Sequence, residues 1–207
     1  MTQHITDFEG GNALSPFRAQ QLLPALQAVE PRISSVAARF VHLVASATVP
    51  SADLRDQLSA LLAYGEPYQG APGGILLVVT PRFGTVSPWA SKATDIAHNC
   101  GLAVQRVERV THYRLQLAKG WLGKPSLSPA QLASLADLLH DRMTESIMTE
   151  RAQAAGLFAE LRAAPLQAID VLGGGRQALA AANTVSSVMV CQFGPCPDDP
   201  TQYLWKF

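Results

Sequence analysis

Charged residues are scarce in this sequence, and their signs cancel. Lysine and arginine together number 16, as do aspartate and glutamate, and charged residues make up only 15% of the 207 positions. Nucleic acids and anionic lipid surfaces bind clustered basic side chains, so this composition argues against both kinds of partner. Hydrophobic residues make up 48%. That share exceeds what disordered chains contain and predicts a globular protein with a hydrophobic core.

Long apolar runs and cysteine frameworks are also missing. The most apolar run covers only residues 75–79, whereas a membrane helix needs about 20 residues. Residues 1–9 lack the basic start and apolar stretch of a signal peptide. The cysteines are Cys100, Cys191 and Cys196, an odd number without zinc-ligand spacing, which is typical of a reducing compartment. The sequence therefore predicts a cytoplasmic protein with no membrane partner.

Two stretches of the chain repeat one order of predicted elements: helix, strand, helix, strand. The first helix of each begins with a serine followed by a proline, Ser15 with Pro16 and Ser87 with Pro88, the pattern of an N-cap before the first helical position. The strands are predicted from apolar residues at alternate positions or in short β-branched runs. In chain order they cover residues 33–45, 75–79, 103–117 and 145–149.

The same two stretches share a leucine triplet and an Arg-x-x-His spacing. The matching positions are Leu58, Leu61 and Leu62 with Leu135, Leu138 and Leu139, and Arg39 and His42 with Arg109 and His112. Matches in the same order predict a duplicated α+β unit whose sheets pair. His42 and His112 would then meet near a pseudo-twofold axis. Because no carboxylate or thiol is suitably spaced for a shared metal, we expect two partly buried, hydrogen-bonded histidines.

The segment from residue 80 to residue 99 has the composition of a contact surface. An extended loop at residues 80–85 carries an arginine and a phenylalanine and leads into a helix N-terminus, which could dock a partner or an anion. A plain surface loop explains the segment about as well, and we expect Trp89 to be core rather than contact. The candidate contact residues are Arg82, Thr85, Ser87, Trp89, Lys92, Asp95, His98 and Asn99.

One cysteine invites a catalytic interpretation. Cys100 stands beside His98 and Asn99. However, it lies on an apolar stripe with Trp89 and Ile96, and a helix C-terminus raises a thiol pKa rather than lowering it, so we expect a structural role.

One glycine-rich segment satisfies part of a nucleotide-binding motif. Gly173, Gly175 and Ala178 follow a predicted strand at residues 169–172, as in a dinucleotide fingerprint, but the expected ribose-binding carboxylate about 20 residues further on is missing. Helix initiation by glycine is the favoured explanation. We therefore predict no catalytic, cofactor-binding or metal-binding residue.

A family resemblance is carried by residues 76–102, which read LLVVTPRFGTVSPWASKATDIAHNCGL. This stretch resembles the N-terminal domain of the large, single-chain phosphoribosylformylglycinamidine synthase of purine biosynthesis. Residues 13–18 and 139–145 resemble it too, and residues 171–179 are similar to the start of that family's linker domain. The resemblance implies an α+β fold of duplicated, ferredoxin-like halves with paired antiparallel sheets, similar to a dimer of the separate PurS subunit.

The resemblance also implies a function. The full-length family is a ligase with glutamine amidotransferase activity that uses ATP and magnesium to convert formylglycinamide ribonucleotide to its amidine. Its synthetase and glutaminase domains lie beyond the residues matched here. They are therefore the expected partners, and this chain is expected to hold no cofactor and to act as a coupling domain. The resemblance also implies that Cys100 is not the glutaminase nucleophile.

The resemblance divides the chain into three segments. Residues 1–150 are the predicted PurS-like domain, with repeats at about 1–80 and 81–150, and residues 151–183 begin the linker. Residues 184–207 are apolar and proline-rich where the family has an acidic helix, which indicates a truncated or frameshifted fragment. Three alternatives stay open: a free-standing interaction module, a nucleotide-binding module using Gly173 to Gly175, and an enzyme in its own right.

Overall fold

The computed structural model describes residues 3–118, 127–159, 169–185, 192–196 and 199–206. The chain forms two compact units, residues 1–161 and 162–207. The elements of the first unit are β1 (His4–Asn12), α1 (Pro16–Val29), β2 (Ile33–Ser46), α2 (Ala52–Leu62), β3 (Ile75–Pro81), α3 (Pro88–Asn99), β4 (Arg106–Leu117), α4 (Pro129–Leu139), β5 (Glu145–Met148) and a 3-10 helix (Arg151–Phe158).

Serine caps start the four α-helices of the first unit. In each, the serine side chain accepts a hydrogen bond from a backbone N–H of the first turn, which satisfies a donor that has no partner inside the helix. Proline follows the cap in α1, α3 and α4. The capping serines are Ser15, Ser51, Ser87 and Ser128. The serine–proline pattern thus predicted the starts of α1 and α3 correctly.

The strands of the first unit form one five-stranded sheet in the order β1-β2-β4-β3-β5, and every neighbouring pair is antiparallel. The predicted α+β, ferredoxin-like class is confirmed. From β2 to β5 the strands of the two repeats alternate within this sheet, so the repeats share it rather than each forming its own. β1, which the sequence did not predict, adds an edge strand beside β2.

Each face of the sheet has its own hydrophobic cover. On one face, called here the helical face, Ala38 and Leu115 pack with residues of α1 and α4, and Val44 and Val107 pack with residues of α2 and α3. The opposite face, called the 3-10 face, carries Val41, Val78 and Val110 under Ala154 and Leu157 of the 3-10 helix. The 3-10 helix therefore belongs to the core of the first unit.

The register of β2 and β4 contradicts the expectation, drawn from the repeat, that His42 and His112 meet. It pairs even-numbered residues of β2 with odd-numbered residues of β4: His42 lies opposite Arg109, and His112 lies opposite Arg39. Because side chains alternate along a strand, His42 points to the helical face and His112 to the 3-10 face. The expected meeting of the two histidines is therefore wrong. Both are fully rather than partly buried.

The second unit contains α5 (Val171–Val185) and a hairpin of β6 (Gln192–Cys196) and β7 (Asp199–Lys206). Val171 and Leu172 begin α5, so the predicted strand at 169–172 is wrong. The three glycines lie inside this helix, which kinks at Gly175, where φ is 53° and ψ is −144°. Residues 160–168, 186–191, 197–198 and 207 lie outside the described residues, and the predicted segment boundaries and the nature of the tail stay predictions.

No helix in the described part of the chain is long and apolar enough to cross a membrane.

Candidate contact cleft

A cleft of about 640 Å³ opens on the helical face of the sheet. It exists because α1 and α4 cover one end of this face and α2 and α3 cover the other, which leaves the middle uncovered. Phe40, Val79, Arg109 and Thr111 form its floor, and residues 80–82, 85–89 and 143–145 form its walls.

Arg109 lies at the centre of the floor, between two aromatic rings. Its guanidinium carbon is 4.3 Å from the centroid of Phe40 and 4.7 Å from that of Trp89. One N–H donates to the Tyr64 hydroxyl at 3.4 Å. The ion pairs among the described residues do not include Arg109. The cleft floor therefore holds a half-buried cation that is fixed by stacking and pairs with no carboxylate of the described residues.

His42 supports this arrangement from beside Trp89. The two rings stack with centroids 5.4 Å apart and an interplanar angle of 27°, and His42 Nε2 lies 2.8 Å from the Tyr64 hydroxyl. Burial, with the nearby charge of Arg109, lowers the pKa of His42 from 6.5 to about 4. The ring is therefore neutral at pH 7, and Arg109 is the positive charge at this position.

The wall between β3 and α3 is held from beneath by an arginine on the 3-10 face. Arg106 pairs with the buried carboxylate of Glu108 and donates to the carbonyl oxygens of Thr85 at 2.9 Å and Leu157 at 3.1 Å. The Ser87 hydroxyl donates to the Glu108 carboxylate at 3.2 Å. These bonds fix the loop in one conformation against the sheet.

The predicted contact residues divide into two groups. Arg82, Thr85, Ser87 and Trp89 line the cleft. The others lie further along α3 and do not line it. This second group is Lys92, Asp95, His98 and Asn99, all exposed. Within it, His98 Nε2 lies 2.8 Å from the Val104 carbonyl oxygen, which ties the end of α3 to the following loop. A contact role for either group stays a prediction.

The sequence did not single out Phe40, Arg109, Thr111 or Glu145 as part of the site, although all four line the cleft. Arg109 entered the sequence reasoning only as a marker of the repeat. The available signal was its place in a strand with buried residues on both faces, Val107 and Leu115 on its own face and Val110 on the other. A cation on the buried face of a strand usually has a reason to be there.

Cys100 differs from its predicted setting. It is exposed and forms the C-cap of α3, and Ile96 is half exposed. The buried side of α3 is lined instead by Ala90 and Ala97. The predicted apolar stripe through Cys100 is therefore wrong. Within the part of the chain that the structure describes, no group of three or more His, Cys, Asp or Glu side chains could hold a metal ion.

Comparison with protein families identifies the larger group to which this chain is related. Residues 39–158, more than half of the chain, match the family model described as formylglycinamide ribonucleotide amidotransferase N-terminal. The match runs from β2 through the 3-10 helix and includes the whole lining of the cleft. The chain therefore belongs to this family, the N-terminal domain of the phosphoribosylformylglycinamidine synthase of purine biosynthesis.

Proposed function

We propose that this chain is the coupling domain of the synthase and docks the synthetase and glutaminase domains through its cleft and the adjoining face of α3. The observation that carries the proposal is the composition of the cleft. Arginine, tryptophan, phenylalanine and methionine contribute to its lining, and these residue types are enriched where proteins bind each other. No lysine, a residue type depleted there, is among the described residues that line it.

Exposed apolar side chains near the cleft support a macromolecular partner. Met143 is 79% exposed, Val86 is 55% exposed and Phe83 is 37% exposed. Large apolar side chains gathered at one place on a surface are typical of an interaction site, whereas single ones are common anywhere. A partner that covers the cleft would bury Met143 and Val86, which line it.

The fixed conformation of the cleft wall also favours docking. Because Arg106, Glu108 and Ser87 already hold the loop, a partner would have little conformational freedom to remove on binding. In this proposal ATP and magnesium bind the synthetase domain and not this chain, the chain is a fragment without activity alone, and it works in the cytoplasm.

The proposal is tested by mixing the purified chain with separately expressed synthetase and glutaminase domains. We expect a stable complex in sizing chromatography, and weaker binding of the double variant Arg82→Ala with Lys92→Ala. The single variants then show whether binding depends on the cleft, which Arg82 lines, or on the face of α3, which carries Lys92. Arg55→Ala is the matched control, because Arg55 is an exposed arginine on α2 that does not line the cleft.

Two results would contradict the proposal. One is the absence of any complex, or a complex that the double variant leaves unchanged relative to Arg55→Ala. The other is turnover of glutamine or ATP by the chain alone, which would make it an enzyme in its own right.

A further inference from the structure

Among the described residues, few acceptors meet the N–H donors of Arg109. A guanidinium carries five N–H donors in a planar fork. In Arg109 one of them meets the Tyr64 hydroxyl, and at 3.4 Å that bond is long. The rings of Phe40 and Trp89 pack against the guanidinium, and Arg109 also lines the cleft. Donors at the edge of an open cleft are accessible to water, and an acceptor from a partner could take its place.

Building on the proposed docking function, we propose that Arg109 binds a carboxylate of the docked domain, carried by an Asp or Glu side chain with an apolar residue beside it. A carboxylate presents two oxygens at the spacing of the guanidinium fork, so a bidentate pair would satisfy two of these donors. Stacking between Phe40 and Trp89 fixes the plane of the fork in advance, which reduces the entropy lost on binding.

The charges that line the cleft favour a carboxylate over a phosphate. Arg82 and Arg109 are the cations of the lining and Glu145 is its anion. Glu145 accepts a hydrogen bond from the Asp141 backbone N–H at 2.9 Å, and this bond holds it in the wall. The net charge of the lining is therefore that of a single cation, which matches a monoanion better than a dianion.

The rest of the cleft fits an acidic side chain with an apolar neighbour. Thr111 lies two positions from Arg109 on the same strand and face, so its hydroxyl offers a second donor near the carboxylate. Val79 on the floor and Met143 in the wall offer apolar contacts. A buried pair surrounded by apolar contacts is the arrangement in which an interfacial charge contributes most to affinity.

The first experiment measures the affinity of the full chain for the synthetase and glutaminase domains by calorimetry. We expect Arg109→Met to weaken binding about tenfold or more, and Arg109→Lys to retain part of the affinity. Arg55→Ala should bind as the parent chain does. If the parent chain forms no complex, the proposed docking function fails. If it forms a complex and Arg109→Met matches Arg55→Ala, only the assignment of Arg109 is overturned.

A second experiment identifies the group on the other side of the interface. In the Arg109→Lys variant, a water-soluble carbodiimide activates a neighbouring carboxylate, and the lysine amine displaces the resulting urea to form an amide. We expect a cross-link between Lys at position 109 and an Asp or Glu of the docked domain, read by mass spectrometry, and none at that position in the parent chain. A complex of the variant that shows cross-links only at its other amines would overturn the proposal.

Discussion

Arg106 and Arg109 lie on the same strand but on opposite faces of the sheet, and their surroundings differ. Arg106 pairs with buried Glu108 and donates to two backbone carbonyl oxygens. Arg109 is held between two rings and has no carboxylate partner among the described residues. Arg106 is therefore bound within the fold, whereas Arg109 has donors that meet no acceptor among the described residues.

We expect the largest effect on stability when the ion pair between Arg106 and Glu108 is broken. Glu108→Ala removes the carboxylate from Arg106 and from the Ser87 hydroxyl and leaves the cation without its partner. We expect a loss of about 3–5 kcal/mol in the free energy of unfolding, measured with urea. Asp137→Ala breaks the exposed pair with Arg142 and should cost less than about 1 kcal/mol. Equal losses in the two variants would contradict this account of the 3-10 face.

The second effect compares the two faces through their histidines. Burial lowers the pKa of both His42 and His112 from 6.5 to about 4. A lowered pKa means that the unfolded state takes up protons first, so stability is full above pH 6.5 and falls as the pH drops toward 4. Between pH 7 and pH 5 we expect a loss of about 2 kcal/mol per histidine.

Urea unfolding across that pH range measures the effect. His112→Gln should halve the dependence on pH whatever its cost at pH 7, because His42 on the other face still titrates. If the free energy of unfolding of His112→Gln depends on pH as strongly as that of the parent chain, the His112 ring on the 3-10 face does not titrate as described.

The third effect concerns the packing beneath the cleft. A Cβ on Gly10 would lie 2.7 Å from Cε1 of His42 and 3.1 Å from the Phe40 carbonyl oxygen. Gly10→Ala should therefore destabilise the chain by about 1–3 kcal/mol. Adding His42→Ala should recover part of that loss in a double-mutant cycle on the free energy of unfolding. If the two losses in the free energy of unfolding are strictly additive, the His42 ring is not the group that a side chain at position 10 would clash with.

We expect the smallest effect on stability from the substitution of Arg109. Arg109→Met keeps an unbranched stem between the two rings and breaks no ion pair, so we expect its free energy of unfolding to fall by no more than about 1 kcal/mol. Arg106→Met, which leaves Glu108 buried and unpaired, should cost about 3 kcal/mol or more in the same urea titration. If the two substitutions destabilise the chain equally, the distinction between a structural arginine and an available one is lost.

Local signals in the sequence predicted much of the fold. The serine caps marked the helix starts, and the strand predicted at 33–45 corresponds to Ile33–Ser46. Two leucines of each triplet are buried, Leu58 and Leu62 in α2 and Leu135 and Leu139 in α4, whereas Leu138 is 41% exposed. These features depend on residues close in sequence, which is why a single sequence contains them.

Features that depend on distant pairing could not be predicted. β1 contains Gly10 and Gly11 and lacks alternation, and it is a strand only because β2 supplies its hydrogen bonds. The register of β2 and β4 decides which face each side chain takes, and a shift of one residue would reverse it. For that reason the repeat placed His42 and His112 together when they lie on opposite faces, and the floor of the cleft around Arg109 was missed, although four residues of its wall were predicted.

The central claim is that a domain of the same enzyme docks into this cleft. Biosynthetic incorporation of 5-fluorotryptophan gives the chain three fluorine labels, at Trp89, Trp121 and Trp205, and single tryptophan-to-phenylalanine variants assign their resonances. The measurement is the fluorine NMR spectrum during titration with unlabelled synthetase and glutaminase domains. We predict that the Trp89 resonance shifts saturably in the parent chain and shifts only at higher partner concentration in Arg109→Met. Formation of the complex with the Trp89 resonance unmoved would contradict the claim.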